Sequence, residues 1–255
     1  MRFLKGHGTE NDFVLLPDTT GSLDLTPELV QRLCDRRAGI GADGVLRVVP
    51  TRLLPDAAQL DAEWFMDYRN ADGSIAEMCG NGVRVYARYL VDAGLTPAGS
   101  FDVATRHGVL HVEVTEQHVI VDMGPAKVGQ DVEIDGAPGT FVDMGNPHVV
   151  VHVPSVDALG TLDPSRKDLN VEYVADVGRA HVRMRVHERG VGETRSCGTG
   201  ACAAVVATSL RLAVPRGTAF DVEVPGGRLV VTWREDGHVL LQGPAEIVAE
   251  GVWLA

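Results

Sequence analysis

The chain has 255 residues, 45% of them hydrophobic and 23% charged, with a formal net charge of −12 at pH 7. That length and apolar content can fill one large core or two smaller ones, and the acidic balance argues against nucleic acid and anionic membrane surfaces as partners. No apolar stretch is long enough to span a bilayer, the first residues lack the apolar core of a secretory signal, and four cysteines in so long a chain do not read as a disulfide framework. A reducing cytoplasm is therefore the expected compartment.

In chain order, Asn11 stands before the apolar run Phe13 to Leu16. Thr26-Pro27 then predicts a helix from Pro27 to about Arg36, with Thr26 as N-cap and proline in the first turn. The glycine-rich segment Met78-Cys79-Gly80-Asn81-Gly82 opens a second helix, Val83 to about Ala93, which stops at Gly94. Alternating β-branched residues predict strands over Val109–Val114 and Val119–Met123, and Asn146 precedes another at Val149–Val153. After a strand at His181–Val186 comes Ser196-Cys197-Gly198-Thr199-Gly200, opening a helix from Ala201 to about Leu212. That helix is small and apolar nearly all round, so it should be buried. Strands at Leu229–Trp233 and Val239–Leu241 follow, bounded by Pro225-Gly226-Gly227 and Glu235-Asp236-Gly237. Strand-dominated halves, each with a buried central helix, indicate an α+β architecture.

The two cysteine motifs anchor a longer repeat. Phe101-Asp102-Val103 is followed by Gly108, Leu110, Val112, Glu116, His118 and Gly124-Pro125-Ala126. Phe220-Asp221-Val222 is followed by Gly227, Leu229, Val231, Glu235, His238 and Gly243-Pro244-Ala245 in the same order. Each half also has its asparagine beside an apolar run, Asn11 or Asn146. A period this long implies two domains of one design rather than a repeat array.

Cys79 and Cys197 sit where helices should begin. Helical N–H groups there lack intrahelical acceptors, and the macrodipole adds positive charge, so a thiolate or an anionic ligand is favoured. Glycines let backbone approach a ligand closely. Two thiols facing one carbon from opposite sides supply the base and the acid that inversion of a stereocentre needs. Orientation and carbanion stabilisation then carry most of the catalysis. Cys34 and Cys202 read as packing residues.

Taken together, several motifs show that the chain resembles the diaminopimelate epimerases, which act without pyridoxal phosphate. These are Lys5 to Phe13 (KGHGTENDF), Gly39 to Gly44 (GIGADG), Asn70 to Ser74 (NADGS), Met78 to Gly82, Gly145-Asn146-Pro147-His148, Glu188 to Thr194 (ERGVGET), and Cys197 to Gly200. The resemblance runs nearly the whole length. It implies interconversion of LL- and meso-diaminopimelate, in lysine and cell-wall precursor synthesis, with no cofactor and no metal. It implies two pseudosymmetric domains with the active site in the cleft between them. One is residues 1–123 plus 244–255 carrying Cys79, the other residues 124–243 carrying Cys197. Cys79 and Cys197 would be the acid/base pair. The substrate's α-carboxylate would rest on the N–H groups of Gly80, Asn81, Gly198 and Thr199, with Asn11, Asn70, Asn146, Asn170, Glu188 and Arg189 as further contacts. Arg189 suits the distal carboxylate. His148 and Glu188 would tune the thiols, although His148 alone could equally be a structural strand histidine. The expected partners are the small-molecule substrate and, in a homodimer, a second copy of the chain.

Two positions depart from the family pattern: Gly44 stands where some members carry glutamine, and Glu10 where glycine is common. The main alternative is a proline or hydroxyproline racemase-type isomerase of the same fold. Those typically have histidine after the first Cys-Gly, where this chain has Asn81. A thiol redox or zinc protein predicts paired C-x-x-C spacing, which is absent, and a Cys–His hydrolase leaves the second cysteine unexplained.

Overall fold

A computed structural model describes residues 1–254. The chain divides into two compact units. One runs from Met1 to Val121 and resumes at Pro244, and the other is Asp122–Gly243. Among the described residues no helix is long and apolar enough to cross a membrane.

The first unit holds strands β1 (Arg2–Gly8) and β2 (Asn11–Pro17), helix α1 (Pro27–Cys34), strands β3 (Gly44–Pro50) and β4 (Trp64–Asn70), helix α2 (Gly80–Asp92), strands β5 (Gly99–Thr105) and β6 (Gly108–Val114), and the start of β7 (Val119–Pro125). The second holds β8 (Lys127–Val128), β9 (Val132–Ile134), β10 (Ala137–Asp143), β11 (Pro147–His152), β12 (Asn170–Gly178), β13 (His181–Glu188), β14 (Gly192–Thr194), helix α3 (Gly198–Leu212), β15 (Ala219–Val224), β16 (Gly227–Trp233) and β17 (His238–Gly243). The last strand, β18 (Glu246–Val252), returns to the first unit and pairs antiparallel with β1.

Both units use one pairing scheme. In the first, β1–β2 is antiparallel, β2–β3 parallel, β3–β4 antiparallel, β4–β5 parallel, and β5–β6 and β6–β7 antiparallel. In the second, β10–β11, β11–β12, β12–β13, β13–β15, β15–β16 and β16–β17 follow the same order of signs. Register carries the repeat to single residues. Val103 faces Leu110 as Val222 faces Leu229. Phe13 faces Gly44 as His148 faces Asn170. Asn11 therefore corresponds to Asn146, Phe13 to His148, Gly44 to Asn170, and Leu46 to Glu172.

Each sheet wraps its helix. Helix α2 packs on β1, β2, β3, β4, β6 and β18, and α3 on β10 to β13 and β15 to β17. A helix surrounded on most sides must be apolar or fully satisfied around its circumference, which accounts for the alanine and valine of α3. In α2 the buried Arg84 gives hydrogen bonds to the Thr9 hydroxyl and the Pro244 carbonyl, each at 3.3 Å. The central helices begin at Gly80 and Gly198, three residues before the expected Val83 and Ala201. The extended backbone of each cysteine ends the incoming segment, so the glycines form the first turn. Helix α1 has the predicted Thr26 cap but stops at Cys34, because Asp35 is extended and its carboxylate accepts from the N–H groups of Arg37 and Ala38.

Candidate active site

Cys79 and Cys197 are the N-cap residues of α2 and α3. The first intrahelical bonds run from Val83 N–H to the Cys79 carbonyl and from Ala201 N–H to the Cys197 carbonyl. The N–H groups of the intervening turns therefore lie ahead of the helical ladder, where an anion is favoured.

In the first unit, Cys79 is half-buried, and its Sγ lies 3.6 Å from Asn11 Oδ1, an acceptor that takes the thiol's hydrogen. Asn81 Nδ2 donates to the same oxygen at 3.2 Å. Asn11 Nδ2 in turn donates to Asp43 at 2.7 Å. Asp43 and Asp12 share the Arg36 guanidinium, at 2.7 Å each, and Asp12 also holds Lys5 at 2.6 Å. Burial works to raise the Asp12 carboxyl, but hydrogen bonds from Arg36 and Lys5 outweigh it and leave it at about 2. Asn70 donates to Ser74 Oγ at 3.0 Å, in the turn after β4. At Gly44 a Cβ would lie 2.6 Å from the Arg69 carbonyl and 2.7 Å from the Tyr68 ring, so this register of β3 on β4 has no room for glutamine. Glu10 adopts a φ of 62° beside Thr9 at 52°, a left-handed pair that explains why glycine suits this bend.

The second unit is more enclosed. Cys197 Sγ accepts from Gly200 N–H at 3.4 Å and lies 3.5 Å from Thr199 Oγ1. Burial, then the charges of Glu188 and Glu172, push this thiol well up, opposite to the lowering expected from the helix terminus alone. Burial likewise raises the Glu188 carboxyl, which accepts hydrogen bonds from Thr194 and Cys197. His148 is fully buried in β11, with Nδ1 2.6 Å from Glu172 Oε1 and Nε2 3.1 Å from Asn146 Oδ1. Asn146 Nδ2 reaches Thr199 Oγ1 at 3.4 Å. Asn170 bridges the Pro147 carbonyl and the Arg189 N–H, each at 2.9 Å, while Arg189 itself is exposed.

Asn11, Asn81 and Cys79 thus meet in one cluster, and Cys197, Thr199, Asn146, His148 and Glu188 in another. Asn70, Asn170 and Arg189 sit at the ends of β4, β12 and β13. Glu172 and Asp43 are missing from the residues predicted above. The repeat carried a signal for Glu172, a carboxylate at the position that Leu46 occupies in the first unit. Cys34 and Cys202 are buried packing residues. The four cysteines are thiols, not disulfides. Among the described residues no group of three or more His, Cys, Asp or Glu is placed to hold a metal ion.

Comparison with known proteins matches this arrangement of motifs over most of the chain. Residues 3–129 and 140–248 match the family model for diaminopimelate epimerase. The diaminopimelate epimerase of Streptomyces coelicolor is 53% identical, over 98% of this chain and 94% of its own length. That of Thermobifida fusca is 50% identical, over 98% and 97%. Among solved structures, a phenazine biosynthesis protein of the PhzF family from Bacillus anthracis superposes with a TM-score of 0.76 at 17% identity, covering 100% of this chain and 99% of that one. A hydroxyproline epimerase from Agrobacterium vitis gives 0.69 at 13%, over 98% and 91%. These two share the two-domain, strand-rich α+β fold, and racemase-type proteins are only distant in sequence. With half of all positions identical to named relatives across nearly the full length, the chain belongs to the diaminopimelate epimerase family.

Proposed function

We propose that the protein interconverts LL- and meso-diaminopimelate, an isomerase of lysine and cell-wall precursor synthesis. One of Cys79 and Cys197 removes the α-proton and the other delivers a proton to the opposite face. The observation that carries this reading is the pair of cysteines at the N-caps of two buried helices in two copies of one topology. Each adjoins a glycine-rich turn whose N–H groups suit a carboxylate. Gly80, Asn81, Gly198 and Thr199 are assigned to the α-carboxylate, and Asn11, Asn70, Asn146 and Asn170 to the ammonium and carboxylate groups. The exposed Arg189 is assigned to the distal carboxylate. Glu188 and His148 tune the thiols. The two thiols suffice for the proton transfers, so the enzyme is expected to need neither pyridoxal phosphate nor a metal, and to work in the cytoplasm. The only partners in this reading are the small-molecule substrate and, in a homodimer, a second copy of the chain. The residues 1–123 plus 244–255 and 124–243 would each supply one thiol.

The test is to incubate the protein with LL-diaminopimelate in D₂O and follow the α-proton by NMR. Early product should carry deuterium while recovered substrate keeps its hydrogen. Cys79→Ala and Cys197→Ala should each lower epimerisation by at least about 10³-fold, whereas Cys34→Ala should alter stability alone. Rapid washout from substrate without inversion would indicate one shared base and overturn the two-thiol assignment. Activity should survive dialysis against EDTA, and loss restored by zinc would refute the metal-free reading.

A further inference from the structure

The two half-sites differ beneath the helix that carries the thiol. In the first unit the space under Gly82 is lined by Leu46 and Phe13, which lie 3.4 and 3.6 Å from where a Cβ would stand. Their counterparts in the second unit are Glu172 and His148, both fully buried. Glu172 Oε1 lies 2.6 Å from where a Cβ on Gly200 would stand, so this glycine makes room for a carboxylate under the first turn of α3. The fold does not require an ionisable pair here, since its own other copy packs phenylalanine and leucine at the same positions. Burying a carboxylate is costly, and Glu172 Oε2 accepts no hydrogen bond.

Hydrogen bonding links this carboxylate to the thiol. His148 Nδ1 lies 2.6 Å from Glu172 Oε1 and its Nε2 3.1 Å from Asn146 Oδ1, so the ring bridges the carboxyl group to the amide. Asn146 Nδ2 donates to Thr199 Oγ1, which leaves the threonine hydrogen for Cys197 Sγ. Every donor after the imidazole points toward the sulfur. We propose that Glu172 is a positioning residue: by holding His148 it orients Asn146 and Thr199 so that a hydroxyl hydrogen is directed onto Cys197 Sγ, favouring its thiolate. Both thiols donate, Cys197 to Glu188 and Cys79 to Asn11 Oδ1, but the two asparagines differ: Asn146 turns its Nδ2 toward Thr199, whereas Asn11 turns its oxygen to the thiol. The titratable groups facing Cys197 are Glu188 from β13 and Glu172 from β12, with His148 from β11 hydrogen-bonded to the latter. The donor chain opposes burial and the Glu188 charge, which push the thiol up. This inference rests on the reading of Cys197 as a reacting thiol, but its test needs no turnover.

The experiment is alkylation of the intact protein by iodoacetamide between pH 7 and pH 10, with the rate at each cysteine read by peptide mass mapping. Because the thiolate reacts, the Cys197 rate tracks its ionisation. Glu172→Gln should slow Cys197 about tenfold at each pH, a profile moved up by about one unit, with Cys79 unchanged. Thr199→Val should do the same and Thr199→Ser should keep the wild-type rate. The double variant His148→Phe with Glu172→Leu, which copies the first unit's apolar pair, should keep the melting temperature yet lose the Cys197 rate. A faster Cys197 in Glu172→Gln would mean that Glu172 acts only as a charge opposing the thiolate. An unchanged rate there and in Thr199→Val would mean a packing role. Either outcome overturns the proposal. Absence of epimerisation in D₂O would instead refute the substrate reading and leave this rate comparison standing.

Discussion

Gly82 and Gly200 occupy the same place in the two copies of the motif, yet different physics holds them there. A Cβ on Gly82 would make ordinary contact, with nothing nearer than 3.4 Å, while on Gly200 it would collide with Glu172 at 2.6 Å. Alanine is the better helix former. Gly82→Ala should therefore leave stability unchanged or raise it by up to about 1 kcal/mol, whereas Gly200→Ala should cost about 1–3 kcal/mol through overpacking. Urea unfolding of the two variants checks the pair, and equal effects would show that Glu172 moves aside freely. At this scale the motif pointed to a close backbone approach, but not to what approached. At Cys197 the helix terminus does not set the thiol pKa, because burial and two carboxylates outweigh it. Those carboxylates, Glu172 and Glu188, arrive from β12 and β13, outside the sequence around the motif.

At the scale of elements, β1, the start of β2, the turn after α1 and the segment leading into β3 are tied by Lys5, Asp12, Arg36 and Asp43. This cluster holds Asn11 against the Cys79 thiol. Because the folded Asp12 carboxyl sits at about 2, below its unfolded value of about 3.9, its contribution is complete above pH 4 or so and is lost as pH falls toward about 2. Arg36→Ala should cost about 1 kcal/mol at pH 7, a modest figure because Arg36 is more than half exposed and solvent screens the pair. The difference from the unsubstituted protein should shrink between pH 4 and pH 2. Denaturant titrations at pH 7 and pH 3 check the sign, and a cost that grows on acidification would exclude this account. None of these partners was foreseen, because Lys5, Asp12, Arg36 and Asp43 carry no periodicity that announces an ion cluster.

On the scale of the molecule, the chain leaves its first unit at Val121 and returns to it at Pro244. Strand β18 completes the first unit's sheet by pairing with β1, and the Pro244 carbonyl accepts from the buried Arg84. A chain ending at Gly243 would leave that guanidinium without an acceptor it has here and expose an edge of β1. Hydrogen exchange on this truncated chain should show β1 and α2 losing protection while α3 and β10 to β13 keep theirs. Equal loss in both units would mean that they unfold as one cooperative body.

Local chemistry alone determined the cysteine N-caps, the Thr26 cap, the apolar central helix α3, the strand meanders after each helix and the duplicated design. Each depends on neighbours close in sequence or on a repeated pattern, and the full set of motifs indicated the family. Strands β3, β4 and β12 were not foreseen, because they are buried along most of their length and lack alternation. Only the tertiary structure decided that Glu172, from a strand 25 residues before Cys197 in sequence, lies under the helix that bears this thiol. Parallel pairing of β11 with β12 sets the register that joins it to His148. Such a pairing is stabilised by a buried sheet and helix together, and no window of sequence contains all three.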